Sequence, residues 1–263
     1  MTRQKGSSNK LLALKAISVL TVVGFGISAT RAIPQNAEGL NERISELQAQ
    51  VASLTARLTD WPQLGYFKEA NLQFKTSAHR GRPIVFIGDS ITANWGAVPS
   101  GFFHGENYVN RGLGGQVTGQ MLLRFQQDAL GLDPAAVVIL GGVNELSWGA
   151  KAERLEIIET NIRSMAELAR FHHVPVVIAS LTPLARGRGG VDGNSRIMTL
   201  NNWLRQYSAE HDCIYLDYFT AMTHSDGSTK EEFFGDGTHP NDEGYKIMTR
   251  AAQSAISSLG LRP

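Results

Sequence analysis

The chain has 263 residues, with 25 Lys and Arg against 24 Asp and Glu, 42% hydrophobic residues and one cysteine. That size holds one catalytic-size domain, or two small ones, with a real apolar core. The near-neutral balance excludes a general nucleic-acid binder, one cysteine excludes a disulfide framework or a cysteine-rich zinc site, and 19% charged residues excludes a disordered chain.

The charge is unevenly spread. Arg3, Lys5, Lys10, Lys15 and Arg31 precede the first acid, Glu38, which leaves 20 basic and 24 acidic residues from there on. Residues 16–29 are uncharged and mostly apolar. A basic start before such a run predicts an export signal over residues 1–36. The rival reading is an uncleaved anchor: residues 11–30 as a helix would extend about 30 Å, enough to span a bilayer with Lys15 snorkelling. The basic end would then stay cytoplasmic. Either reading places the rest outside: periplasmic, secreted, or membrane-anchored and facing outward.

Leu40, Ile44, Leu47, Val51, Leu54 and Leu58 follow with alternating steps of four and three, the spacing of a coiled-coil seam. The run is under three heptads. It fits a single amphipathic helix packed on the main domain or an oligomerising stalk through residues 40–58. Asp60-Trp61-Pro62 closes it, because proline disfavours helix at the residue before it. The expected organisation is a leader (1–36), a short coiled-coil-like helix (37–61), a connector (62–80) and a main domain (81–263).

From Pro83 onward, short apolar runs alternate with longer amphipathic ones. Strands are predicted at 84–87, 136–140, 174–179 and 214–216, with 108–109 a weaker fifth, and helices at about 117–130, 151–171, 195–210 and 242–258. Continuous apolar strands separated by amphipathic helices indicate a parallel sheet covered on both faces. Ligands of such sheets bind beyond the carboxyl ends of the strands.

Polar groups stand at four such ends. Gly88-Asp89-Ser90 follows the first strand and can project a hydroxyl over the sheet edge, or simply turn and cap a helix. Asn110-Arg111-Gly112-Leu113-Gly114-Gly115 follows the second; its glycines can turn backbone N–H groups toward a ligand, but no third glycine completes a dinucleotide fingerprint. Asn144 and Glu145 follow the third. Before the last helix, Asp236 stands three residues ahead of His239, so its carboxylate can receive the imidazole Nδ1–H and leave Nε2 free as a base. Pro240 biases His239 to extended backbone and Asn241 is the expected cap.

The blocks I-V-F-I-G-D-S-I-T, N-R-G-L-G-G-Q, V-V-I-L-G-G-V-N and G-D-G-T-H-P-N-D-E-G-Y, in this order over about residues 83–258, resemble the SGNH, or GDSL-type, hydrolases. The resemblance implies an α/β three-layer sandwich with a central parallel, flavodoxin-like sheet, here preceded by the N-terminal apolar helix and the heptad helix. It implies Ser90 as nucleophile, His239 as general base oriented by Asp236, and an oxyanion hole of the Ser90 and Gly115 N–H groups with the Asn144 amide. The expected activity is serine carboxylester hydrolysis on a small-molecule, lipid or acylated-sugar ester, with no metal, cofactor or nucleic acid. The same residues would serve an O-acetyltransferase or O-deacetylase of cell-envelope carbohydrate, or survive in a membrane-stalked binding protein with an inactive hydrolase-like domain. Two positions depart from the family pattern: Ile91 replaces Leu after the serine, and Glu145 replaces the usual Asp, which alters its local hydrogen bonds.

Trp95, Trp148 and Phe233 lie near these motifs and are candidates for the substrate pocket. His172-His173 reads as a basic helix end. Arg186-Gly187-Arg188 is expected at the crevice rim, and Cys213 as a buried thiol.

Overall fold

Short segments bounded by glycine or turn residues form five strands, apolar runs in all but the second: β1 (Ile84–Gly88), β2 (Tyr108–Gly112), β3 (Ala136–Leu140), β4 (Val176–Ala179) and β5 (Ile214–Leu216). They lie in the order β2-β1-β3-β4-β5, all parallel. A computed structural model describes residues 37–77, 81–98, 101–104, 107–147, 152–185 and 193–260. The chain divides into two compact units, 1–52 and 53–263. The predicted apolar helix of the leader lies outside the described residues. Among those described, no helix is long and apolar enough to cross a membrane.

The helices are α1 (Ala37–Thr59), α2 (Lys68–Thr76), α3 (Ser90–Trp95), α4 (Thr118–Asp128), α5 (Val143–Ser147), α6 (Ala152–Phe171), α7 (Gly193–Glu210) and α8 (Asp242–Ser258). Apart from α1, all flank the sheet within the second unit. β1, β3 and β4 are buried at every position, as strands covered on both faces must be. The core gathers Val85, Ile87, Val137, Ile139, Val177 and Ile178 from the sheet with Met121, Phe125, Ile158, Ile162, Leu200, Leu204 and Met248 from the helices.

Residues 60–76 are an ordered strap rather than a bare link. The main-chain carbonyls of Trp61, Pro62 and Leu64 accept hydrogen bonds from Gln120, Gln116 and Gln127, respectively, at 2.6–3.0 Å. On α2, Asn71 is buried; it donates to Asp128 at 2.7 Å and accepts from Arg111 Nε at 2.8 Å.

Register places the site. Gly88 pairs with Gly112 on one side and Leu140 on the other, so β1, β2 and β3 end level. Whatever follows these three strands meets at one edge.

Candidate active site

α3 begins hard against that edge, and two glycines permit it. A Cβ on Gly88 would lie 2.1 Å from Thr92 Oγ1, and one on Gly112 would lie 2.2 Å from the Ala93 nitrogen. Asp89 caps α3, its Oδ1 accepting from the Ile91 N–H at 2.9 Å. Its carboxyl is wholly buried; burial above all, with the nearby Glu145 charge, pushes its pKa up to about 7 against the Ile91 hydrogen bond. Ser90 is therefore the first residue of the helix, with its side chain half-buried at the sheet edge.

The loop before α8 supplies its partner. Asp236 Oδ1 accepts the backbone N–H groups of Thr238 and His239 at 2.9 and 2.8 Å, which curls the chain so that Oδ2 lies 2.8 Å from His239 Nδ1. The His239 N–H is the largest of the influences holding the Asp236 carboxyl well below its usual range. His239 Nε2 lies 2.8 Å from Ser90 Oγ. With Nδ1–H donating to the carboxylate, Nε2 of the neutral ring accepts the seryl hydroxyl. Asp236 and His239 side chains remain 52% and 32% exposed, so water reaches this pair freely.

Two further contacts fix the arrangement. Asn241 caps α8, accepting from the Glu243 and Gly244 N–H groups at 3.1 Å. The buried Tyr245 hydroxyl on α8 donates to the Ile91 carbonyl at 2.9 Å, tying the helix behind His239 to the helix that starts at Ser90.

On the opposite side, Gly114 and Gly115 are exposed, Gly115 with φ 74°. A Cβ on Gly114 would lie 4.0 Å from Ser90 Cβ, so this loop passes beside the serine. Asn144, in the first turn of α5, donates through Nδ2 to the Gln116 carbonyl at 2.8 Å. An amide nitrogen carries two hydrogens, so one remains for a ligand. Gln116 is itself held on three sides: its Nε2 donates to the Pro62 carbonyl and Gln63 Oε1 at 3.0 and 3.1 Å, and its Oε1 accepts from Arg124 Nε at 2.6 Å. Arg124, fully buried, also donates to the Gly88 carbonyl at 3.0 Å. Glu145 Oε1 accepts from the Thr118 N–H and hydroxyl at 2.5 and 2.6 Å. Burial raises the Glu145 pKa, with the Thr118 bonds acting against it.

The structure thus brings Ser90, Asp236, His239, the Gly114–Gly115 loop and Asn144 to one strand-end edge. Trp95 is corrected: at 2% exposure it packs among Phe86, Phe102, Phe103 and Tyr245 and lines no open pocket. It projects from the inward face of α3, where apolar burial outweighs nearness to Ser90 in sequence. Phe233 is half-buried in the turn before Asp236. Trp148 and the Arg186–Arg188 loop lie outside the described residues. Among those described, no group of three or more His, Cys, Asp or Glu is placed to hold a metal. Sequence reasoning passed over Gln116, Arg124, Thr118 and Tyr245. Arg124 carried a signal, a charge beside Met121 and Phe125 on the apolar face of its helix.

The model of the GDSL-like lipase/acylhydrolase family matches residues 86–247. The structure is similar to a Bacteroides fragilis protein named as an acylhydrolase, with 31% identity, TM-score 0.69, and coverage of 76% of this chain and 98% of that one. It is also similar to a GDSL-like lipase from Bacteroides thetaiotaomicron, with 29% identity, TM-score 0.67, and coverage of 75% and 100%. An acetylxylan esterase from Geobacillus stearothermophilus shares the fold at 19% identity and TM-score 0.55, with coverage of 67% and 94%. No curated protein matches the chain.

Proposed function

The chain belongs to the GDSL-like lipase/acylhydrolase family, and from that membership we propose that it is an exported serine carboxylester hydrolase working through an acyl-Ser90 intermediate. One observation carries the reading: the unbroken hydrogen-bonded line from Ser90 Oγ through His239 to Asp236, with both links at 2.8 Å. In this mechanism His239 Nε2 takes the Ser90 proton as Oγ attacks the ester carbonyl. Asp236 holds the ring in the required tautomer and offsets the imidazolium charge. The oxyanion is received by the N–H groups of Ser90 and Gly115 and the free hydrogen of Asn144 Nδ2. As the tetrahedral species collapses, the alkoxide leaves with the proton from His239, and Ser90 keeps the acyl group. Water then attacks the acyl carbonyl, His239 taking its proton, and the acid departs as Ser90 regains its hydrogen.

The same residues serve water or a sugar hydroxyl as acyl acceptor, and the acceptor assay distinguishes the two. The basic, apolar leader supports export, with the segment either cleaved or kept as an anchor. Residues 81–263 would form the catalytic domain, with Phe233 beside the ester.

The test is a fluorophosphonate label on the purified protein, followed by turnover of short-chain, lysophospholipid and acetylated-sugar esters with and without a sugar acceptor. Ser90→Ala is expected to lose labelling. Ser90→Ala and His239→Ala are each expected to lose turnover while keeping wild-type circular dichroism. Near-normal turnover by either variant rules the mechanism out, and acyl transfer to the sugar in place of acid release makes the protein a transferase.

A further inference from the structure

We propose that α1 pairs with the α1 of a second copy of this chain as a parallel, two-stranded coiled coil. The inference is independent of the ester chemistry. Leu40, Ile44, Leu47, Val51, Leu54 and Leu58 are each 42–80% exposed, a continuous apolar stripe that nothing among the described residues covers.

The width of the stripe identifies its partner. A helix that packs on a globular core carries apolar residues at a, d and one flanking position, whereas a coiled-coil seam is confined to a and d. In α1 the a positions are Ile44, Val51 and Leu58 and the d positions Leu40, Leu47 and Leu54. The flanking e positions are Asn41, Gln48 and Thr55, and the g positions are Arg43, Gln50 and Arg57, none of them apolar. A membrane surface is the wrong occupant. Such helices carry basic polar faces and aromatic residues, whereas α1 holds Glu38, Glu42 and Glu46 against Arg43 and Arg57 and has no aromatic residue.

Side-chain shape and charge then set strand number and direction. β-Branched residues at a with leucine at d favour two parallel strands, and α1 has Ile and Val at two of three a positions and Leu at every d. In parallel register, each g position faces the partner's next e position: Arg43 meets Gln48 and Gln50 meets Thr55, with no like charges opposed. Antiparallel pairing, which stacks position 40 on position 58, would set the g arginines 43 and 57 against each other at both ends. Arg43 instead has a place on its own helix, 2.7 Å from Glu46 at the outward c position.

The experiment uses the full chain carrying Cys213→Ser, with Leu40→Cys or Leu58→Cys added singly, oxidised and run on a non-reducing gel. Each single variant is expected to give a disulfide-linked dimer. Crosslinking only when the two variants are mixed overturns the parallel direction, and no crosslinking in either form overturns the coiled coil. In sedimentation, the Cys213→Ser chain is expected to form a dimer that Ile44→Glu/Leu47→Glu converts to monomer, with turnover per chain unchanged. A parent that sediments as a monomer overturns the pairing, as it would if the stripe packed on its own domain; a trimer overturns the two-stranded form.

Discussion

The side-chain amide of Asn144 donates to the backbone carbonyl of Gln116 at 2.8 Å, so the orientation of the proposed oxyanion donor is set by the segment that follows Gly115. Removing an oxyanion donor of this type costs about 100–1,000-fold in turnover. Asn144→Ala is expected to lower kcat within that range, with KM little changed. Steady-state kinetics on a short-chain ester checks it; a rise confined to KM would mean that Asn144 binds substrate and transition state alike.

Glu145 Oε1 accepts both the N–H and the hydroxyl of Thr118, and its side chain is one methylene longer than the aspartate expected from the family pattern. Glu145→Asp withdraws the acceptor and leaves the buried Thr118 N–H and hydroxyl without it, at a cost of about 1–3 kcal/mol. Glu145→Gln retains a carbonyl oxygen of the right reach. Urea unfolding is expected to place Glu145→Asp below Glu145→Gln in stability, and the reverse order would mean that length is not what matters here.

Asp89 makes stability depend on pH in an unusual direction. Its folded pKa, about 7, lies above the ordinary value of 3.8, so between these limits the folded chain binds more protons than the unfolded one. Stability from this group is therefore full below about pH 4 and declines as pH rises toward 7, by at most about 1.4 kcal/mol per pH unit. Asp89→Asn keeps an acceptor for the Ile91 N–H and does not titrate. The wild-type-minus-variant difference in unfolding free energy should fall from pH 4 to 7 and then level off; a flat difference over that range refutes the assignment.

Gly112, the last residue of β2, and Gly114, in the loop after it, should respond oppositely to alanine. At Gly112 the new Cβ would meet the Ala93 backbone nitrogen at 2.2 Å, forcing α3 and Ser90 away from the sheet edge, whereas at Gly114 the nearest atom is Ser90 Cβ at 4.0 Å. Gly112→Ala is expected to cost about 1–3 kcal/mol, as overpacking does, and to remove most turnover. Gly114→Ala should fold and turn over within a few-fold of wild type. Thermal melts and ester assays on the pair distinguish them.

The central strands and long helices were legible because continuous apolar runs and 3.6-residue periodicity both survive burial. The weak fifth strand extends to Gly112 beyond its apolar start, because Asn110 and Arg111 find polar partners: Asn110 bonds to the Thr92 carbonyl and Arg111 to Asn71. α2 escaped for the same reason, since its buried anchor is Asn71 rather than an apolar residue. Asp236 and His239 could be paired from spacing alone, being three residues apart within one turn. The meeting of His239 with Ser90 spans 149 residues and was available only through the family blocks. Trp95 shows the opposite failure: proximity in sequence to Ser90 says nothing about which side of a helix a ring leaves from.

That span of 149 residues also orders events in the proposed mechanism. A growing chain displays Ser90 long before His239 has been synthesised, and the hydroxyl has no base until the Asp236 loop has closed and Tyr245 has latched α8 onto α3. On that mechanism, partly made chains carry Ser90 without the base it needs.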